Sequence, residues 1–295
     1  MNLYRTDLAM ERTLRHPAGI SGVKVETTRH GQAETTYVRI CSSQGAHLLG
    51  KPQGTYWTLT HPLLPTLTPE ERIPLSDLIA RELRRMLPGK GDILVLGLGN
   101  RNLTSDALGG KVVDGVLVTR HMPSSGLRSV CAFAPGVLGI TGVETAEMVL
   151  GICERIHPAA VVVVDALAAM ESSHICTTVQ LTDTGIQPGS GVGNHRRAIC
   201  KETLHIPVIA LGIPMVVYAS TIVRDALHRL LSSEMDEESA DRMATQLTNG
   251  IAGEMVVTPR DIDTLVAGLS DMLALAINAA LHDEYTLEEL SHLLH

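Results

Sequence analysis

Three short stretches constrain this chain more than anything else in it: DILVLGLGN (92–100), AAVVVVDALAAM (159–170) and IPVIALGIPMVV (206–217). Each is an almost unbroken aliphatic run without polar alternation. Such runs suit strands covered on both faces, because a strand with one wet face alternates apolar and polar residues. Between the first two lies GVETAEMVLGICER (142–155), whose apolar spacing is helical. Strand, helix, strand is the rhythm of an α/β protein with a mostly parallel central sheet and flanking helices. Aromatic residues make up only 2% of the chain against 44% hydrophobic, so Val, Leu, Ile and Ala must fill the core.

The flanks read differently. VKVETT (23–28), TTYVRIC (35–41) and GKPQGTYWTLT (50–60) are β-branched segments separated by turn residues, which predicts a β-rich N-terminal part. Thr68-Pro69-Glu70-Glu71 has the form of a helix start, and Pro74 is expected to interrupt it. Leu75, Leu78, Ile79, Leu83, Met86 and Leu87 then share one helical face that stops at Pro88-Gly89. Beyond residue 230, SSEMDEESADR is charged, and Thr258-Pro259-Arg260-Asp261 opens an apolar helix through Ile277. Thr286 and Glu289 form a further capping box. The expected organisation is one domain over 1–295, with a β-rich part (1–66), an α/β core (67–230) and a mainly helical part (231–295).

Bulk properties exclude several classes. The formal charge is −8 and no Lys/Arg run exceeds two residues, so the basic footprint of direct nucleic-acid binding is missing. No unbroken apolar stretch reaches the roughly 18 residues of a membrane span, so no membrane association is expected. Five cysteines without a CxxC motif or a signal peptide suggest reduced thiols and a cytoplasmic protein.

The chemistry candidates cluster at the ends of the aliphatic runs. Gly97 and Gly99 begin a GxGxxG pattern, but Asn102 stands where the third glycine belongs, which argues against a dinucleotide. Asp106 follows in the same loop, and Asp165 ends the valine run. One crossover fits between them, so both carboxylates can face one crevice at the carboxyl edge of the sheet, where open α/β sheets bind ligands. The alternative is that each merely caps a local turn or helix. DTGIQPGSGVGN (183–194) supplies a glycine-rich wall, but Ser190 lacks the nucleophile-elbow pattern. His121, His174 and His195 fall near the presumed edge without zinc spacing.

Taken together, RTDLA (5–9), GKPQGTYWTL (50–59), GLGN…TSDALGG (97–110), VTRH (118–121), PGVLGITGVET (135–145), VDALAAM (164–170), DTGIQPGSGVGN (183–194), ETLHIPVIALGIPMVV (202–217) and TPRDIDTLVAGLSDML (258–273) resemble the spore germination proteases, in order and over roughly Arg5 to His282. The resemblance implies an aspartic-type endopeptidase, without cofactor, that degrades small acid-soluble spore proteins in the spore core. It implies a fold like the hydrogenase maturation proteases, a homotetramer, and synthesis as a zymogen. The family's catalytic aspartates correspond to Asp106 and Asp165. Asn100, His121, Asp183, Gly191 and Asn194 lie in the same motifs and are candidate supporting residues. No metal is expected; a metal-recognising variant of the chemistry would use Asp106, Asp165 and His121 as ligands. A binding paralogue that no longer cuts is a third reading.

The chain departs from the family pattern at several points. Ser105 and Gly110 stand where prolines are usual, Met170 replaces a basic residue, and His174 occupies a second basic position. Loss of those basic groups is expected to alter specificity or lower activity. Only Met1 to Tyr4 precede RTDLA, so weak zymogen control is expected.

Overall fold

The computed structural model describes residues 6–16, 18–122, 126–189, 196–231, 237–248, 250 and 255–289. Their strands are β1 (Val23–His30), β2 (Ala33–Ile40), β3 (Gly54–Thr60), β4 (Ile93–Gly97), β5 (Val130–Phe133), β6 (Ala160–Ala169), β7 (Thr178–Thr182), β8 (Val208–Tyr218) and β9 (Val256–Val257). The helices are α1 (Ala9–Leu14), α2 (Ser43–Leu49), α3 (Pro69–Met86), α4 (Leu108–Asp114), α5 (Leu138–Thr141), α6 (Thr145–Ile156), α7 (Lys201–Leu204), α8 (Ala219–Leu231), α9 (Glu237–Leu247) and α10 (Ile262–Leu281).

All three aliphatic runs form strands, β4, β6 and β8, and these are adjacent in a single sheet of order β1-β2-β3-β7-β8-β6-β4-β5, with β9 added to β8. The sheet is mixed, which corrects the expectation of a mostly parallel one. β5, β4, β6 and β8 run parallel. The chain reverses after β6, so β7 enters β8 antiparallel, and the N-terminal meander β1–β3 attaches to β7 in the same sense. The β-rich N-terminal part therefore extends the core sheet.

Alternate residues of β4 and β6 serve two cores, which is why both strands are uniformly apolar. Ile93, Val95, Val162 and Val164 pack against α3, α4 and α10. Leu94, Leu96, Val161 and Val163 pack on the other face with Ala146, Val149 and Cys153 of α6. Helix α3 begins in a complete capping box between Thr68 and Glu71. Pro74 lies inside that helix rather than interrupting it. Pro74 lies on the exposed side of the helix.

Helix α10 has a mean hydropathy of 1.6 over an 18-residue window, long and apolar enough for a membrane span, contrary to the sequence expectation. Here 72% of that window is buried inside the protein. Ser76 of α3 donates to the Met272 carbonyl at 3.1 Å, and buried Asn278 bridges the Leu117 amide and the Gly115 carbonyl. The helix thus caps one face of the sheet. No cysteine is disulfide-bonded.

Candidate active site

The site grows from the carboxyl ends of β4 and β6. β6 carries five fully buried aliphatic residues and then Asp165, paired across the sheet with Gly212 of β8. β4 ends at Gly97, and the Leu98 amide donates to the Val164 carbonyl at 2.8 Å, so the two strand ends stay together. The chain then loops through a short 3-10 turn, Thr104–Asp106, into α4. The Asp106 carboxylate accepts the Asn100 amide at 2.8 Å, turning back across its own loop.

Glycines make this return possible. Gly99 has φ +100°, and a Cβ there would lie 1.9 Å from the Asp106 carbonyl oxygen. A Cβ on Gly97 would strike the Gly109 carbonyl at 2.1 Å, so α4 can begin directly over the end of β4. The glycine pattern holds a carboxylate in place.

Asp106 and Asp165 line a common crevice of about 240 Å³ with Gly136, Glu144, Gln187 and Arg196. A larger cavity of about 940 Å³ adjoins it through Asp7, Leu167, Ile186 and Gln187. Size favours the larger cavity, but the smaller one contains both aspartates, and chemistry decides between them. Burial raises the Asp106 carboxyl, opposed by the hydrogen bond from Asn100. Asp165 is raised well above the carboxylate range by burial, by the charge of Asp106 and by that of Asp7, while its bond from the Ala166 amide opposes the shift. Two carboxylates sharing one partly buried crevice cannot both ionise cheaply, so the first proton retained belongs on Asp165.

The supporting residues separate. Asn100 reaches Asp106 through its backbone amide, while its side chain accepts the Asn102 amide at 3.0 Å. Asp183 sits at the end of β7, where it accepts the Thr55 amide at 2.8 Å and lines the larger cavity. His121 is exposed in the turn that pairs with the start of β5, where Thr119 and Arg120 donate to the Val130 carbonyl. That is the amino edge of the parallel strands, opposite the crevice, so the ligand set Asp106–Asp165–His121 is not assembled. Among the described residues, no three His, Cys, Asp or Glu side chains are grouped to hold a metal. Gly191, Asn194, Ser190 and His195 lie outside the described residues.

His174 and Met170 turn inward. The His174 ring meets fully buried Glu11 of α1 at 2.6 Å. Glu11 also accepts the Met170 and Glu171 amides, and the Arg224 guanidinium donates to the Met170 carbonyl. These departures therefore act on a buried latch between the N-terminal segment and the end of β6. Sequence reasoning missed Glu11 and Asp7. Their only sequence signal was position within and just after RTDLA; the contacts that tie them to Ala168 and His174 lie more than 150 residues away along the chain.

The layout defines an α/β protein with an acidic pair at the carboxyl edge of adjacent parallel strands. The chain matches the family model described as germination protease over residues 5–248. It is 37% identical to the germination protease of Clostridium acetobutylicum over 99% of each chain, and 40% identical to that of Caldanaerobacter subterraneus over 99% of this chain and 98% of the other. The Bacillus cereus germination protease is 33% identical, covering 95% of this chain and 94% of its own. This chain belongs to the germination protease family. A [NiFe] hydrogenase maturation protease from Thermococcus kodakarensis superposes with a TM-score of 0.34 at 17% identity, over 66% of this chain and 98% of its own. That likeness is too slight to bear on the fold.

Proposed function

We propose that this protease is an aspartic-type endopeptidase that begins the degradation of small acid-soluble spore proteins during germination, using Asp106 and Asp165. The observation that carries the reading is the meeting of these two aspartates in one crevice, within the span that the family model matches.

In this mechanism Asp106 is the ionised partner. It takes a proton from water as the oxygen attacks the peptide carbonyl. Asp165, protonated in its buried position, donates to the carbonyl oxygen; as the tetrahedral intermediate collapses, Asp106 gives the proton it took from water to the departing amine and Asp165 recovers one from a hydroxyl. The carboxyls exchange roles in the second half of the cycle, so the pair returns to its starting protonation state. The crevice continues into the larger cavity, giving an extended polypeptide room on one side of the scissile bond. The enzyme acts in the spore core as a homotetramer and needs no metal.

The test is cleavage of a small acid-soluble spore protein by the wild type, Asp106→Asn and Asp165→Asn, each with and without chelator. Cutting that survives chelation and disappears in both variants is expected. Cutting lost on chelation, or retained in either variant, refutes the mechanism.

A further inference from the structure

Asp7 enters the crevice from the N-terminal segment, and its attachments are unusually complete. Its amide donates to the Ala168 carbonyl at 2.9 Å, and its carboxylate accepts the Ala168 amide at 2.9 Å. Ala168 is where the register of β6 against β8 shifts, three residues after Asp165. A register shift disrupts the ladder locally and leaves main-chain groups needing partners, and Asp7 satisfies two on one residue. The Asp7 carbonyl in turn accepts Lys51 Nζ at 3.0 Å and Gln180 Nε2 at 2.9 Å, while Gln180 Oε1 receives the Ala9 amide at 2.8 Å.

Gln180 and Asp165 both pair with Gly212, from opposite sides of β8. A Cβ on Gly212 would lie 2.6 Å from the Asp165 carbonyl and 2.7 Å from Leu167 Cγ, so glycine lets this layer close. The charged groups around Asp7 come from several elements. Lys51 precedes β3, and Glu11 and Arg12 belong to α1. Asp106, Glu144 and Arg196 line the crevice, while Asp183, Lys201 and Glu202 line the adjoining cavity.

We propose that Asp7 is a positioning residue of the aspartate pair: its carboxylate locks the shifted end of β6 and places a negative charge beside Asp165. The effect on catalysis rests on the proposed peptidase reading; the lock and the charge do not. Asp7 joins burial and Asp106 in disfavouring ionisation of Asp165, with Lys51 and Arg12 tempering its charge.

Asp7→Asn separates the two roles, because it keeps an oxygen for the Ala168 amide and removes the charge. Asp7→Ala removes both. The protonated carboxyls are titrated by infrared difference spectroscopy, with Asp165→Asn assigning the band, alongside thermal melting and pH profiles of kcat and KM. Asp7→Asn is expected to melt with the wild type and to lower the upper apparent pKa of the pair, because a negative charge beside Asp165 has been removed. Its kcat falls at neutral pH with KM little changed. Asp7→Ala shows the same titration and melts lower. An unmoved titration in Asp7→Asn overturns the charge role, and equal melting of the two variants overturns the lock. A wild type that cuts nothing while the titration moves as expected supports the role of Asp7 and sinks the peptidase reading instead.

Discussion

Gly99→Ala tests whether the loop geometry governs the aspartate. The added Cβ would stand 1.9 Å from the Asp106 carbonyl oxygen and 2.9 Å from its Oδ1. A relaxed carbon–oxygen contact needs about 3.3 Å, so the turn must open by about 1.4 Å. The φ of +100° adds about 1–2 kcal/mol of backbone strain for a residue with a Cβ. Forcing the neighbours apart adds about 1–3 kcal/mol, which brings the destabilisation to about 3 kcal/mol. A catalytic group displaced by about an ångström loses on the order of 100-fold in rate. The assay pairs urea unfolding with kcat/KM on a spore-protein substrate. Gly151→Ala is the control: nothing lies within 4 Å of a Cβ there, and the site is in α6, so a gain of about 0.5–1 kcal/mol is expected. A Gly99→Ala protein that unfolds and cuts like the wild type would refute the reasoning.

Other perturbations probe other parts. Burial opposes a charged His174 ring, but the hydrogen bond and charge of Glu11, helped by Glu171 and Asp225, reverse this and raise its pKa above 6.5. Its stabilisation is therefore fully present below pH 6.5 and fades as pH rises through the higher folded value. The melting-temperature gap between wild type and His174→Gln should narrow over that window; a gap that widens refutes the assignment. Asn278→Ala strands the Leu117 amide and Gly115 carbonyl in a buried setting and should cost about 1–3 kcal/mol in chemical denaturation. A neutral result would mean that α10 does not depend on that bridge. Exposed Cys41 should react with a thiol reagent in the native protein, while Cys153 and Cys176, pushed up by burial to about 11 and about 12, should react only on unfolding.

The sequence revealed the parallel half of the sheet because strands buried on both faces cannot alternate, and β4, β6 and β8 show this directly. Asp165 was legible for the same reason: it is the first charge after an uninterrupted valine run. β7 was not legible, since TVQLT mixes polar and apolar residues although all five are buried. Its Thr178 hydroxyl and Gln180 amide meet partners from distant segments, Thr60 and Asp7, while the Thr182 hydroxyl pairs locally with Thr184. That missing strand is why the mixed character of the sheet escaped the pattern. His121 misled because closeness in sequence to α4 says nothing about which edge of the sheet a turn occupies. Asp7 and Glu11 were hidden by distance along the chain, since what gives them meaning is the end of β6.

The attachment of the N-terminal meander to β7 also bears on synthesis. β3 leaves the ribosome early, but its partner in the core sheet, Thr178–Thr182, is made after β4 and β6. The Ser76–Met272 bond that ties α3 to α10 spans 196 residues. Long-range pairings of this kind form late in folding. The crevice walls, drawn from residues as far apart as Asp7 and Val256, come together only when the chain is nearly finished. A nascent protease built this way has no complete crevice around Asp106 and Asp165 while its own unfolded segments are still emerging beside it.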